Sequence, residues 1–216
     1  MSHRTLRTLE EIQMEVGTWS QKNFGTQTSK ALTIASLAPL GLGSPDDTPQ
    51  TALHRIGDDL PPGTIRETPY LLGSLAPLLG MVEEVGEWFL AETNAEQKDA
   101  LADVGIYLCD YASREGFILP EPILAEVPIV ADPLASLIMV LGNLCHVTLK
   151  HHQGIRGFDD RGHYKIKRSL ACQLIVNNLA EYAEQDFATP FITILDEVWT
   201  DVRHRNWKKN PQGDGV

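Results

Sequence analysis

The sequence predicts an all-α fold, an antiparallel helical bundle, from three observations. Apolar residues recur at three- and four-residue spacing in segment after segment, which is the period of a helix. Helix-boundary residues punctuate those segments. Strand signals are scarce, and the one short candidate, "EVPIV" at 126–130, reads as loop.

Taken in order, Thr8 with Glu11 forms a capping box, and Leu9, Ile12, Val16 and Trp19 carry a first helix that Gly25 stops. Residues 36–67 are rich in Pro, Gly and Asp and read as a long irregular excursion with one short helix at 49–56. Such an excursion is either a disordered insertion or an ordered lid. A second helix carries "MVEEVGEWFLA", with Pro77 near its start or kinking it. After the short "TNAEQK" connection, in which Asn94 and Gln97 read as N-cap and capping-box partner, a third helix runs over about 95–116. A Pro-marked linker at 117–133 leads to helices over 133–152 and 164–186. The last helix takes Thr189-Pro190 as cap and first turn and carries Phe191, Ile194, Leu195, Val198 and Val202.

The chain has 216 residues, 43% of them hydrophobic, enough to bury the core of one large domain or two small ones. Its formal net charge of −11 argues against a nucleic-acid polymer as partner, because a phosphate backbone would be repelled by most of the surface. A small triphosphate is compatible, since a metal and a few basic side chains neutralise it locally. Three cysteines without paired spacing suit a reducing cytosol, and Cys109, Cys145 and Cys172 read as small core hydrophobes. No apolar run of 18 residues and no signal-type start is evident in the pattern, so a soluble, cytoplasmic protein with no membrane partner is expected.

The most informative cluster is acidic: Glu83, Glu84 and Glu87 on the second helix, then Asp99 and Asp103 on the third. The connection between these helices is short enough to make them antiparallel neighbours. Counted from a first helix ending at Glu92 and a cap at Asn94, Glu87 and Asp99 stand level, each about 7–8 Å from the turn. Glu83 and Asp103 then stand level one turn further on. Val82, Val85 and Phe89 flank the first set and Leu101, Val104 and Leu108 the second, which places the acids on an apolar seam. Carboxylates held together there repel and desolvate one another, and a hard divalent cation relieves both effects. Oxygen-only donors favour Mg2+, with Mn2+ as a substitute. The competing reading is a solvated acidic face.

The string "EEVGEW…DALADVGIYLCDYA" resembles the signature of the MazG-like all-α nucleoside triphosphate pyrophosphohydrolases, a superfamily that includes dimeric dUTPases and phosphoribosyl-ATP pyrophosphohydrolases. "LEEIQMEVGTWSQKNFG" resembles the first helix of such proteins, and "VRHRNWKKNP" their basic, Trp-containing tail. One departure is that the family's second motif places its first acid three residues before the Asp. Here that position is Ala100, and Asp99 stands four before Asp103. The resemblance implies Mg2+-dependent hydrolysis of a nucleoside triphosphate to the monophosphate and pyrophosphate. Glu83, Glu87, Asp103 and Asp99 are the candidate metal ligands, and Glu84, rotated about 100° from Glu83, is the candidate to orient or deprotonate the water. The alternatives are a non-catalytic metal- and nucleotide-binding protein and a related enzyme acting on a non-standard nucleotide.

Trp19, Lys22 and Asn23 are candidate substrate contacts, Trp19 and Asn23 together with Phe24 as a base pocket, though Trp19 serves equally as core. Lys165, beside Lys167 and Arg168, either contacts phosphate or belongs to a solvated basic face. The same choice holds in the tail for Arg205, Lys208 and Lys209, which with Arg203 bracket Trp207. The spacings of His146, His151, His152 and His163 match no zinc signature.

Finally, "LGMVEEVGEWFLA" from Leu79 lines up weakly with "LGNLCHVTLKHHQ" from Leu141. This divides the chain into a 1–120 half with the metal site and a 121–216 half that is a degenerate repeat, packed together as one unit. Cys145, His146 and Leu149 would replace the three Glu, and Gln173 or Leu174 would replace Asp103, giving a pseudo-dimer with one site. A homodimer of such chains is a further expectation.

Overall fold

The computed structural model of the protein describes residues 5–24, 73–123, 132–153 and 163–206. Among them are six α-helices and no strand, so this part of the chain is all-α. The helices are α1 (Leu9–Phe24), α2 (Leu75–Leu90), α3 (Asn94–Glu115), α4 (Pro133–His152), α5 (His163–Phe187) and α6 (Phe191–Val202). The excursion at 36–67, the "EVPIV" stretch and the tail residues Trp207, Lys208 and Lys209 lie outside the described residues.

Local chemistry sets most of the boundaries. Thr8 and Glu11 make the reciprocal bonds of a capping box, at 3.2 and 2.8 Å. At α3 the cap is Thr93 and not Asn94. Thr93 Oγ1 accepts from the Glu96 amide at 3.2 Å, and Glu96 Oε2 accepts from the amides of Thr93 and Glu92. A charged carboxylate on the free N–H groups of a helix start is a stronger acceptor than the neutral amide of Gln97, and this moves the start by one residue. Gly116, at φ 71°, closes the same helix in the left-handed region. At α6, Pro190 is itself the N-cap, and Thr189 Oγ1 donates to the Phe187 carbonyl instead of capping.

The core is organised around α3, whose Leu101, Ala102, Val104, Leu108, Cys109, Tyr111 and Ala112 are fully shielded from solvent or nearly so. Helices α1, α2, α5 and α6 all pack on it, and α4 pairs with α5. Residues from both sides of position 120 therefore share one apolar core. Gly105 makes the crossing with α6 close: a Cβ there would stand 2.8 Å from the Phe191 ring. Along α1, Gln13 donates to the Phe117 carbonyl at 2.7 Å and accepts from the Leu119 amide at 2.8 Å, so α1 runs antiparallel to α3. At the other face of α1, Glu15 accepts from Arg7, Trp199 and Arg203, and Arg7 also pairs with the buried Asp196.

Cys109 and Cys172 are buried as expected, while Cys145 is half-exposed. Helix α4 departs from the sequence expectation. By length and composition alone, Pro133–His151 is apolar enough to cross a membrane, with mean hydropathy 1.3 over 19 residues and a third of that window buried. The run escapes notice because Ser136, Asn143, His146, Thr148 and Lys150 interrupt it, yet it holds no acid and Lys150 is its one Lys or Arg.

Candidate active site

The α2–α3 hairpin positions the acids. On α2 the inward face is Met81, Glu84, Val85 and Trp88, at helical spacing, so Glu84 is carried inside with only 9% exposure. Glu83 and Glu87 lie off that face and are exposed. Val82 and Phe89, expected on the seam, face outward at 46% and 60% exposure. The apolar seam is thus narrower than the sequence suggests: Glu84 and Asp103 are withdrawn from solvent, whereas Glu83, Glu87 and Asp99 are exposed. The level pairing also shifts. With α2 capped at Ala91 and α3 capped at Thr93, Glu87 is about 6 Å from the turn and Asp99 about 9 Å.

On α3 one stripe carries Asp99, Asp103, Tyr107, Asp110 and Arg114, in steps of three or four residues. The middle of this stripe forms one wall of a cavity of about 410 Å3. Glu83 and Glu84 contribute from α2; Val16, Trp19 and Phe24 from α1; Val202 and Arg205 from the end of α6 and the segment after it. Trp19 is held edge-on between Phe24 and Trp199, with ring centroids 5.5 and 5.6 Å away, and its Nε1 donates to the Arg205 carbonyl at 3.1 Å. It is both wall and packing element.

The clustered acids at this cavity are compensated only in part, by Arg205. Burial first, and then the charges of Asp103, Glu87, Glu83 and Asp99, push the Glu84 carboxyl up to about 8. Burial and Asp99 likewise push Asp103 up to about 7, against the opposing pull of the Arg205 guanidinium. The Tyr107 phenol, buried beside Glu84 and Asp103, rises to about 12 and keeps its proton. Its ring lies over Gly80, where a Cβ would stand 2.5 Å from a ring carbon.

Of the expected site residues, Glu83, Glu84, Asp103, Trp19 and Arg205 meet at this cavity, while Glu87 and Asp99 act on it through their charge. Lys22 is exposed and not on its wall, and Asn23 is buried with its amide donating to the Trp19 carbonyl at 3.0 Å. Lys165 lines a separate depression with Glu115, Phe117 and Arg168. It is the start of α5 packing near the end of α3 that takes it there. Tyr107 and Asp110 escaped sequence reasoning because they sit inside an apolar string, although their spacing from Asp103 was the available signal.

Among the described residues, no three His, Cys, Asp or Glu side chains converge as a metal-holding group. The expected ligand set is therefore not assembled, although the donor chemistry fits a hard cation: carboxylates only, two of them driven towards protonation for want of positive charge. A pH dependence follows. Because the native Glu84 and Asp103 values lie above their ordinary ones of 4.5 and 3.8, the native state binds more protons between about pH 4 and 8. Their contribution to stability is present below that window and is lost as pH rises through it. In chelator, the denaturation midpoint is expected to fall from pH 5 to 8.5, and Mg2+ to reduce that fall; a midpoint rising with pH would contradict this account of the cavity.

No family model matches this chain, and searches of curated proteins and of solved structures return no match.

Proposed function

We propose that the protein is a Mg2+-dependent nucleoside triphosphate pyrophosphohydrolase of the MazG-like type. The observation that carries this reading is a single cavity bounded by incompletely compensated carboxylates, a guanidinium and an aromatic wall, namely Glu84 and Asp103, Arg205, and Trp19 with Phe24. These match the three parts of a metal-chelated nucleotide: cation, phosphate chain and base.

Glu83, Glu87, Asp103 and Asp99 would have to draw together from their positions here to hold the metal. Mg2+ bound there would supply the positive charge that favours ionised carboxylates, offset charge on the triphosphate and lower the pKa of a bound water. Glu84 accepts a proton from the attacking water as its oxygen bonds to phosphorus. The phosphoanhydride bond breaks, and pyrophosphate leaves with the bonding electron pair. Arg205 meets phosphate charge at the rim, and Tyr107, protonated at neutral pH, offers an O–H to a phosphate oxygen. Trp19 and Phe24 supply apolar area for a base. The α4–α5 hairpin is read as the worn copy of α2–α3, its helix α4 bearing no acid, and completes the bundle without a second site.

The test is pyrophosphate release from a panel of ribo-, deoxy- and modified nucleoside triphosphates with Mg2+ or Mn2+, with Asp103→Asn as control. Release by the parent protein and not by the control is expected. Calorimetric binding of metal and nucleotide with no product after hours would instead assign a non-catalytic binding role.

A further inference from the structure

Asp110 lines the cavity yet stands apart electrostatically from the acids at its other end. Arg114 Nε donates to both of its oxygens, at 2.9 and 3.0 Å, and Arg114 Nη2 donates to Ser20 Oγ at 2.7 Å. Ser20, itself 1% exposed, is thus tied to the carboxylate through Arg114, and burial raises the Asp110 carboxyl against the opposing pull of Arg114 and Ser20. These partners fix the carboxylate from behind. Its side chain is 12% exposed and the residue lines the cavity.

Position and acceptor chemistry then suggest a role. Asp110 lies seven residues beyond Asp103 on one helix stripe, about 10 Å along the axis, with Tyr107 between them. With the phosphates at the Asp103 end, that distance carries the far end of a nucleotide to Asp110. A carboxylate offers about four acceptor positions. Arg114 Nε shares its one N–H between the two oxygens, so the carboxylate keeps acceptor capacity where it lines the cavity.

We infer that Asp110 is a specificity-determining residue that selects nucleoside triphosphates whose base carries an exocyclic amino group. This rests on the reading of the cavity as a nucleotide site. An ionised carboxylate only accepts, so it matches the amino group of cytosine or adenine and repels the carbonyl that replaces it in uracil or hypoxanthine. Arg114 and Ser20 hold the carboxylate in place and so keep it from turning away from a mismatched base.

The test is calorimetric titration of the full chain in Ca2+, used to suppress turnover, with CTP against UTP and ATP against ITP. Each pair differs at the amino or oxo position that Asp110 reads. The amino member of each pair is expected to bind at least about tenfold tighter. Asp110→Asn, which adds an N–H donor, should bring each pair to within about threefold while leaving inorganic tripolyphosphate, which has no base, unchanged. Equal binding within each pair by the parent protein overturns the inference, and that comparison decides even if the variant fails to fold. Equal weakening of CTP, UTP and tripolyphosphate in a folded variant also overturns it, because Asp110 would then serve only to position Arg114. Amino-selective binding without pyrophosphate release leaves this inference standing and removes the hydrolytic reading. Equal pyrophosphate release and equal binding across the pairs do the reverse, and no binding of any triphosphate removes both.

Discussion

Glu84→Gln is expected to cut pyrophosphate release by about 10²- to 10⁴-fold, the usual cost of losing a general base, while magnesium still binds. The same change should stabilise the metal-free protein at pH 8, because it replaces a buried carboxyl resisting ionisation with a neutral amide of the same shape. Turnover measured beside a chelator denaturation curve checks both halves. Full activity in the variant would remove Glu84 from the reaction, and an unchanged curve would remove it from the group of strained acids.

The second large effect is structural. Trp199 is fully buried, its ring stands edge-on to Trp19, and its Nε1 donates to Glu15 at 2.9 Å. Trp199→Ala is expected to cost about 3–5 kcal/mol of folding free energy, from lost apolar burial and the cavity left behind. It also removes one support from the wall that Trp19 forms. A urea midpoint gives the stability change. Where the variant still folds, nucleotide KM should rise more than kcat falls, since the proposed function sets Trp19 against the base and away from the reacting phosphorus. Trp199→Phe, which keeps most of the ring, should recover much of the stability but not the bond to Glu15.

The helices were legible because their signals are local. Thr8 and Glu11, the Leu9, Ile12 and Val16 series, and Pro133 at the start of α4 act over three or four residues and need no tertiary partner. The acidic cluster was legible for the same reason. Which of its members is buried was not, because a rotation of about 100° separates Glu83 from Glu84 and only packing on α3 fixes it. There the pull of Met81, Val85 and Trp88 into the core takes Glu84 with them. Lys165 stands away from the acidic cavity for a non-local reason: nothing within α5 indicates that its first turn meets the end of α3. The setting of Asp110 lay hidden because its partner Arg114 is tied to Ser20, 90 residues before Asp110 in sequence.

Glu15 provides a counterpoint to the cavity. Burial alone would raise its carboxyl, but the bonds from Trp199, Arg7 and Arg203 hold it below the usual value. One small protein therefore contains an acid saturated with donors and a group of acids short of them. Monovalent salt should act on the two with opposite sign, weakening the attraction at Glu15 and relieving the repulsion around Glu84. The ionic-strength response of the whole molecule therefore contains opposed local responses, and Glu15→Gln, which removes one of the attractive ones, should shift the change in denaturation midpoint with salt towards stabilisation.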